Sequence, residues 1–250
     1  MIDTILHGDV MELRLARPPA NAFNQALMLD LTERLRAAPE GGSAAVVISG
    51  APGMFTGGLD VPELLALSRD EVEAFWRTFY GLLLAAADSE VPVGVAITGH
   101  CPAAGAVLSA FCDYRVMARG SFKIGMNEVQ VGLVVPPLIQ YAMKRLTGDR
   151  RGEALLIAGA LISPEEALDV GLVDGVAEPE DVVTETVAWA QGLAALPRQA
   201  MLDTRRISRS DLVDRFDELS DSEYAAMTER WFSEETQATM RALVARLAKR

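Results

Sequence analysis

Positive charge is scarce in this chain. Its 250 residues carry 23 Lys and Arg against 35 Asp and Glu, a formal net charge of −12. A nucleic-acid binder needs the opposite balance, so nucleic acid is excluded as a main partner. Lysine is confined to Lys123, Lys144 and Lys249. A phosphate-bearing ligand must therefore be met by local arginine or by backbone N–H groups. Cysteine is nearly missing too. Cys101 and Cys112 both sit among apolar residues and read as buried reduced thiols rather than a disulfide. His7 and His100 are the only histidines and read as surface and turn residues. With no HExxH and no CxxC, no metal site is expected. GxGxxG, GxxxxGK[ST] and GxSxG are also missing, which argues against dinucleotide, P-loop and serine-hydrolase chemistry. The start, MIDTILHGDVMEL, lacks the basic region of a signal peptide and the Arg-rich character of a transit peptide, so a soluble cytoplasmic protein is expected. There is no internal repeat.

What the chain does have is apolar sequence, 50% of all residues, enough for a large core in one or two domains. Its longest uncharged run, Val91 to Cys112, is punctuated by Pro92, Gly94, Gly99, Pro102 and Gly105. Those breakers exclude a membrane span, which needs ~20 apolar residues in one helix. Val93, Val95 and Ile97 read as a buried strand, Gly99 to Pro102 as a turn, and Ala103 to Ala106 as the start of a helix. The first N–H groups of a helix have no intrahelical partner and favour negative charge. With so little side chain there, a substrate oxygen has access to the backbone. Glu128 follows downstream, after a turn-like Gly125-Met126-Asn127. A helix start rich in N–H groups plus one carboxylate suffices for proton abstraction beside a carbonyl. A buried strand–helix unit and a solvated loop glutamate account for the same residues.

Elsewhere, Thr4–His7 and Val10–Ala16 read as a hairpin around Gly8-Asp9, and Leu27, Leu31 and Leu35 as a helix. Ala45–Ile48 reads as a strand and Gly50 to Gly58 as a Gly-rich loop. Asp60 is a candidate N-cap, so Gly57-Gly58-Leu59 precedes a second helix start. Val72 to Leu83 and the stretch through Leu146 are helical patterns. Ser163, Pro164 and Glu166 form a capping box, with Leu172–Val176 as a strand after Gly171. Past Pro197 the patterns are helical only, and Leu212, Phe216, Trp231 and Leu243 exceed what a last helical pair on a finished core needs, so they are expected at a subunit interface. The division expected is 1–196 as a core with the active site and 197–250 as a helical region. Strands alternate with helices, then helices stand alone, which makes the class α/β.

Several segments, in order, resemble the enoyl-CoA hydratase/isomerase (crotonase) superfamily: Pro19-Ala20-Asn21-Ala22, Met54 to Asp60, Gly99 to Gly105, Cys112 to Arg115 and SPEEALDVGLVD from Ser163. FKIGMNEVQVG, Phe122 to Gly132, is similar to the Δ3,Δ2-enoyl-CoA isomerases of that superfamily. The resemblance implies a spiral of ββα units with a C-terminal helical region that builds a homotrimer or homohexamer. It implies backbone donors at Leu59 and Ala104, and Glu128 as the catalytic carboxylate. Substrate contacts follow at Asn21, Gly57, Gly58, Asp60, Leu64, Val107, Asn127 and Pro136, with the adenine and phosphates near Arg17–Asn21 and Gly58–Leu64. The partner implied is an acyl-CoA thioester of fatty-acid β-oxidation. Coenzyme A is part of that substrate, and no separate cofactor is expected.

Two departures bear on chemistry. Val107 stands where the family's hydratases carry a second carboxylate. Adding water uses two groups, whereas moving a proton from C2 to C4 needs one base. The expectation is an isomerase with Glu128 as a single proton shuttle. A weak hydratase, another thioester-enolate reaction, and a non-catalytic acyl-CoA-binding protein are the alternatives. Ala103-Ala104 also replaces residues that are commonly Gly. Alanine tolerates helical angles, so the donor is expected to survive in a narrower pocket.

Overall fold

The computed structural model describes residues 1–247. Two hydrogen-bonded columns of strand organise them. The first begins with the expected hairpin, β1 (Ile2–His7) antiparallel to β2 (Val10–Leu15). After helix α1 (Gln25–Ala37), whose N-cap Asn24 accepts from the Leu27 N–H, comes β3 (Ala45–Ser49). The Gly-rich loop then contains a strand that periodicity cannot show, β4 (Gly53–Met54). Helix α2 (Val61–Leu64) is capped by Asp60 as expected, and α3 (Arg69–Ala87) starts on a Ser68/Glu71 capping box.

The central stretch follows as β5 (Val93–Ile97), β6 (Gly99–Pro102) and α4 (Ala104–Ala110). Here the turn expected at Gly99–Pro102 is a strand. It pairs in parallel with β4, Gly99 opposite Gly53. The approach is so close that a Cβ on Gly99 would lie 1.9 Å from the Gly53 carbonyl carbon, so only glycine fits. The next turn of the spiral is β7 (Tyr114–Ala118) and β8 (Ile124–Gly125), followed by a 3-10 turn at Glu128–Val131. Helices α5 (Pro137–Thr147), α6 (Asp149–Ala158) and α7 (Pro164–Asp169) come next, the last on the expected Ser163 box. The strand expected at Leu172–Val176 starts later, as β9 (Gly175–Ala177); Leu172 and Val173 are buried without strand pairing.

The six-stranded sheet runs β1-β2-β3-β5-β7-β9, parallel apart from the hairpin, and the small sheet runs β4-β6-β8. Alternate residues of β3 divide between two cores. Val46 and Ile48 face the larger one, which holds Phe23, Leu31, Phe55 and Phe75. Ala45 and Val47 face α8 (Val182–Ala194), a helix the sequence reading passed over. Its Val182, Thr186, Val187 and Ala190 are buried.

The C-terminal helices are α9 (Arg198–Ser208), α10 (Ser210–Asp214), α11 (Asp221–Trp231) and α12 (Glu234–Leu247). They do not form a core of their own. Leu212, Tyr224, Trp231 and Met240 belong to the larger core. Among the described residues no helix is long and apolar enough to cross a membrane.

Candidate active site

Each turn of the spiral delivers one piece of the site. Where β4 ends, Asn21 holds the next loop: its amide accepts from the Arg17 N–H at 2.8 Å and donates to the Phe55 carbonyl at 3.1 Å. Thr56 donates to the Asn21 carbonyl at 2.7 Å and accepts from the Gly58 N–H at 3.1 Å. The chain thus reaches Leu59 along a fixed path, with Gly58 at φ 94°. The carbonyl of Gly58 and the N–H of Asp60 both bond to Phe23. The N–H of Leu59 between them is not engaged by a backbone acceptor among the described residues.

One turn later β6 runs into α4. The N–H of Ala103 donates to the Gly125 carbonyl at 2.8 Å, and its carbonyl accepts the Val107 N–H. Ala103 has φ 49° and ψ −120°, not the helical angles expected of it. A left-handed alanine is strained, typically by ~1–3 kcal/mol. Ala104 comes next as the first helical residue, so its N–H has no intrahelical partner. The two junctions adjoin: a Cβ on Gly58 would lie 3.4 Å from the Ala103 methyl and 3.9 Å from the Ala104 nitrogen. Gly57, Leu59, Ala103 and Ala104 open onto one cavity of about 400 Å³.

The third turn brings Glu128. It begins the 3-10 turn after Asn127 and lines the same cavity. Among the described residues it is the only acidic side chain that does. Its Oε2 is buried without a hydrogen-bond partner. Burial disfavours the charged form and pushes the carboxyl from its ordinary 4.5 up to about 7. A carboxylate there is a base near neutral pH. Val107, on α4, faces the cavity with no ionisable group.

The enoyl-CoA hydratase/isomerase model matches residues 6–247. The chain belongs to the enoyl-CoA hydratase/isomerase family. It is 30% identical over 209 residues to human "Enoyl-CoA delta isomerase 1, mitochondrial", covering 82% of this chain and 69% of that protein. It is also 32% identical over 193 residues to "Probable enoyl-CoA hydratase echA17" of Mycobacterium avium, with 76% and 74% covered. The crystal structure of human mitochondrial Δ3-Δ2-enoyl-CoA isomerase superposes with a TM-score of 0.94 at 26% identity, over 99% of this chain and 98% of that one. An enoyl-CoA hydratase/isomerase from Mycobacterium paratuberculosis superposes at 0.86 and 26%, over 96% and 97%. The spiral of ββα units with helices at its C-terminal end is therefore the crotonase fold.

The cavity gathers eight of the residues singled out from sequence: Gly57, Leu59, Leu64, Ala104, Val107, Asn127, Glu128 and Pro136. Asn21, Gly58 and Asp60 do not line it. Asn21 and Gly58 shape the loop before Leu59. Asp60 caps α2 and pairs with Arg17 at 2.6 Å, which occupies both groups. His7 bonds Glu12 at 2.7 Å, and His100 accepts the Lys123 N–H at 3.2 Å; neither lines the cavity. Both cysteines are free and buried. Among the described residues no cluster of His, Cys, Asp or Glu has the makings of a metal site.

Sequence reasoning missed the outer wall. Trp76, Phe79 and Tyr80 of α3 line the cavity, together with Trp231 of α11 and Met240 and Leu243 of α12. Trp231 and Leu243 were expected at a subunit interface; they are turned inward on the same chain. Helical periodicity marks such residues as buried and says nothing of what they are buried against.

Proposed function

We propose that this protein is a Δ3,Δ2-enoyl-CoA isomerase acting on fatty acyl thioesters of the β-oxidation type. The observation that carries the reading is a cavity with one carboxylate, Glu128, and an apolar Val107 where a second would stand. The thioester oxygen sits on the N–H groups of Leu59 and Ala104. Glu128 removes a proton from C2, and the C–H electrons become the C1–C2 double bond of a dienolate. Its negative charge rests on the thioester oxygen, where two preorganised donors stabilise it. Glu128 then returns the proton to C4, and the double bond settles between C2 and C3. Donor and acceptor carbons lie on one face, so one carboxyl serves both steps. The shift is redox-neutral, and coenzyme A arrives as part of the substrate.

The relatives named as hydratases raise hydration as an alternative. It would need a second group to protonate carbon while the first activates water, and among the described residues the cavity holds no second carboxylate. The deciding experiment is Glu128→Gln assayed with 3-enoyl-CoA and 2-enoyl-CoA. Isomerisation is expected to fall by ~10²–10⁴-fold, and C2 deuterium exchange is expected to vanish with it. Exchange that persists in this variant would assign the base elsewhere. Hydration by the wild type faster than isomerisation would replace the reading.

A further inference from the structure

Among the described residues, Asn21 and Ala103 are the two that have a positive φ without being glycine. Asn21 has a visible reason, since its amide joins the Arg17 N–H to the Phe55 carbonyl. Ala103 has only a methyl. Its φ of 49° and ψ of −120° suit glycine, which would hold them without strain. The backbone path does not need that methyl, so the strain directs attention to what the methyl does. Its position follows from ψ. At −120° the Cα–Cβ bond of an L residue eclipses the bond from its carbonyl carbon to the next nitrogen. Because the peptide is planar and trans, the methyl lies in the plane of the Ala104 amide, on the side to which the N–H points. An oxygen arriving straight along that N–H meets the methyl. Gly58 packs against the same methyl, 3.4 Å from it to a Cβ built there, and does not line the cavity. Ala103 and Ala104 do line it, so the approach left open is from the cavity and out of the amide plane.

We propose that Ala103 is a positioning residue: its methyl bars the in-plane approach to the Ala104 N–H and thereby fixes the direction of the bound thioester carbonyl. That direction sets where C2 stands relative to Glu128. The inference deepens the isomerase reading and rests on it for the oxygen held at Leu59 and Ala104. A purely structural alanine makes the opposite prediction, because glycine relieves strain and frees the donor.

The test compares the wild type with Ala103→Gly and with Ala103→Ser, which keeps a Cβ. Infrared difference spectra of bound octanoyl-CoA, carbon-13 labelled at C1, read the carbonyl without any turnover. A single narrow band, shifted down from that of the free thioester, is expected in the wild type. In Ala103→Gly it is expected to broaden or split, as the carbonyl takes more than one direction. With 3-enoyl-CoA, kcat of Ala103→Gly is expected to fall about tenfold or more, with KM nearly unchanged and the melting temperature no lower. Ala103→Ser is expected to recover most of that loss. A glycine variant with a band as narrow as the wild type's, or with undiminished kcat, overturns the proposal. So does a serine variant as slow as the glycine one. A wild-type band at the free thioester's position would remove the oxyanion reading, and the proposal with it.

Discussion

Glu128 carries a conflict between folding and chemistry. Its carboxyl is displaced upward from 4.5 to about 7 by burial. Between those two values the unfolded chain has released the proton and the folded chain still holds it. Stability therefore falls as pH rises through that window, by about 3 kcal/mol in all. Glu128→Gln is neutral throughout. It is expected to unfold in urea like the wild type at pH 4 and to be the more stable of the two at pH 8. Equal midpoints at pH 8 would show that the carboxylate is solvated. Turnover runs the other way: kcat/KM is expected to rise with pH to a plateau with its midpoint near pH 7, since the base must be ionised. The backbone donor is tested by Ala104→Pro, which removes one N–H at a helix position that tolerates proline. Losing an oxyanion donor costs about two to three orders of magnitude in kcat. Near-normal turnover in a variant with an unchanged melting temperature would clear Ala104 of that role. The bare junctions left a local trace, small residues beside breakers, but that pattern fits a structural unit and a solvated glutamate as well, and Glu128 was singled out through the family resemblance. The conformation of Ala103 was not legible, because it is imposed by β6 pairing below it and by the Gly125 carbonyl above.

Elements with a period of two or of 3.6 residues were legible. The hairpin, α1, α3 and the Ser163 box lie where their patterns put them. The column β4-β6-β8 was not, since strands of two to four residues are too short to show alternation. Helix α8 did have a trace, in Val182, Thr186, Val187 and Ala190, and was overlooked. Another long-range feature joins the residue before β7 to the last turn and C-cap of α9. Asp113 takes Arg205 at 2.9 Å and Arg209 at 3.1 Å, all three side chains nearly buried. Arg209 also donates to the Phe111 carbonyl. Asp113→Asn leaves two guanidinium groups without a counter-charge, and breaking a buried pair costs ~3–5 kcal/mol. Urea unfolding is expected to show a loss of that order. A loss under ~1 kcal/mol would mean that the carbonyl acceptors suffice, as in an ordinary surface pair.

At the scale of the whole molecule, the trimer expected from sequence lost its first support when Trp231 and Leu243 proved to face inward. Other surfaces replace it. Helix α9 buries none of its residues within the chain, and Ile207 on it is 66% exposed. Ile157 on α6 is 71% exposed. Obligate interfaces bury ~2,000 Å² or more and are rich in such residues. A trimer or a dimer of trimers is therefore expected by light scattering, and a monomer at micromolar concentration would refute it. The boundary expected after residue 196 falls between α8 and α9, while the last strand already ends at Ala177. It does not separate two cores, since Trp231 and Met240 pack with Phe75.

The last helix also sets an acidity. Thr236, at the start of α12, donates to the Gly132 carbonyl at 2.6 Å, four residues past Glu128, and Met240 and Leu243 close the cavity over it. Burial raises the Glu128 carboxyl, and part of the wall around its cavity comes from a segment made far later in the chain. During synthesis, folding proceeds from the N-terminal side. The strands of the spiral and Glu128 itself all precede that helix in the chain. The carboxyl is expected to reach its full upward displacement only when the final helix settles. Proton affinity at this one position is thus expected to report on whether the far end of the chain is in place.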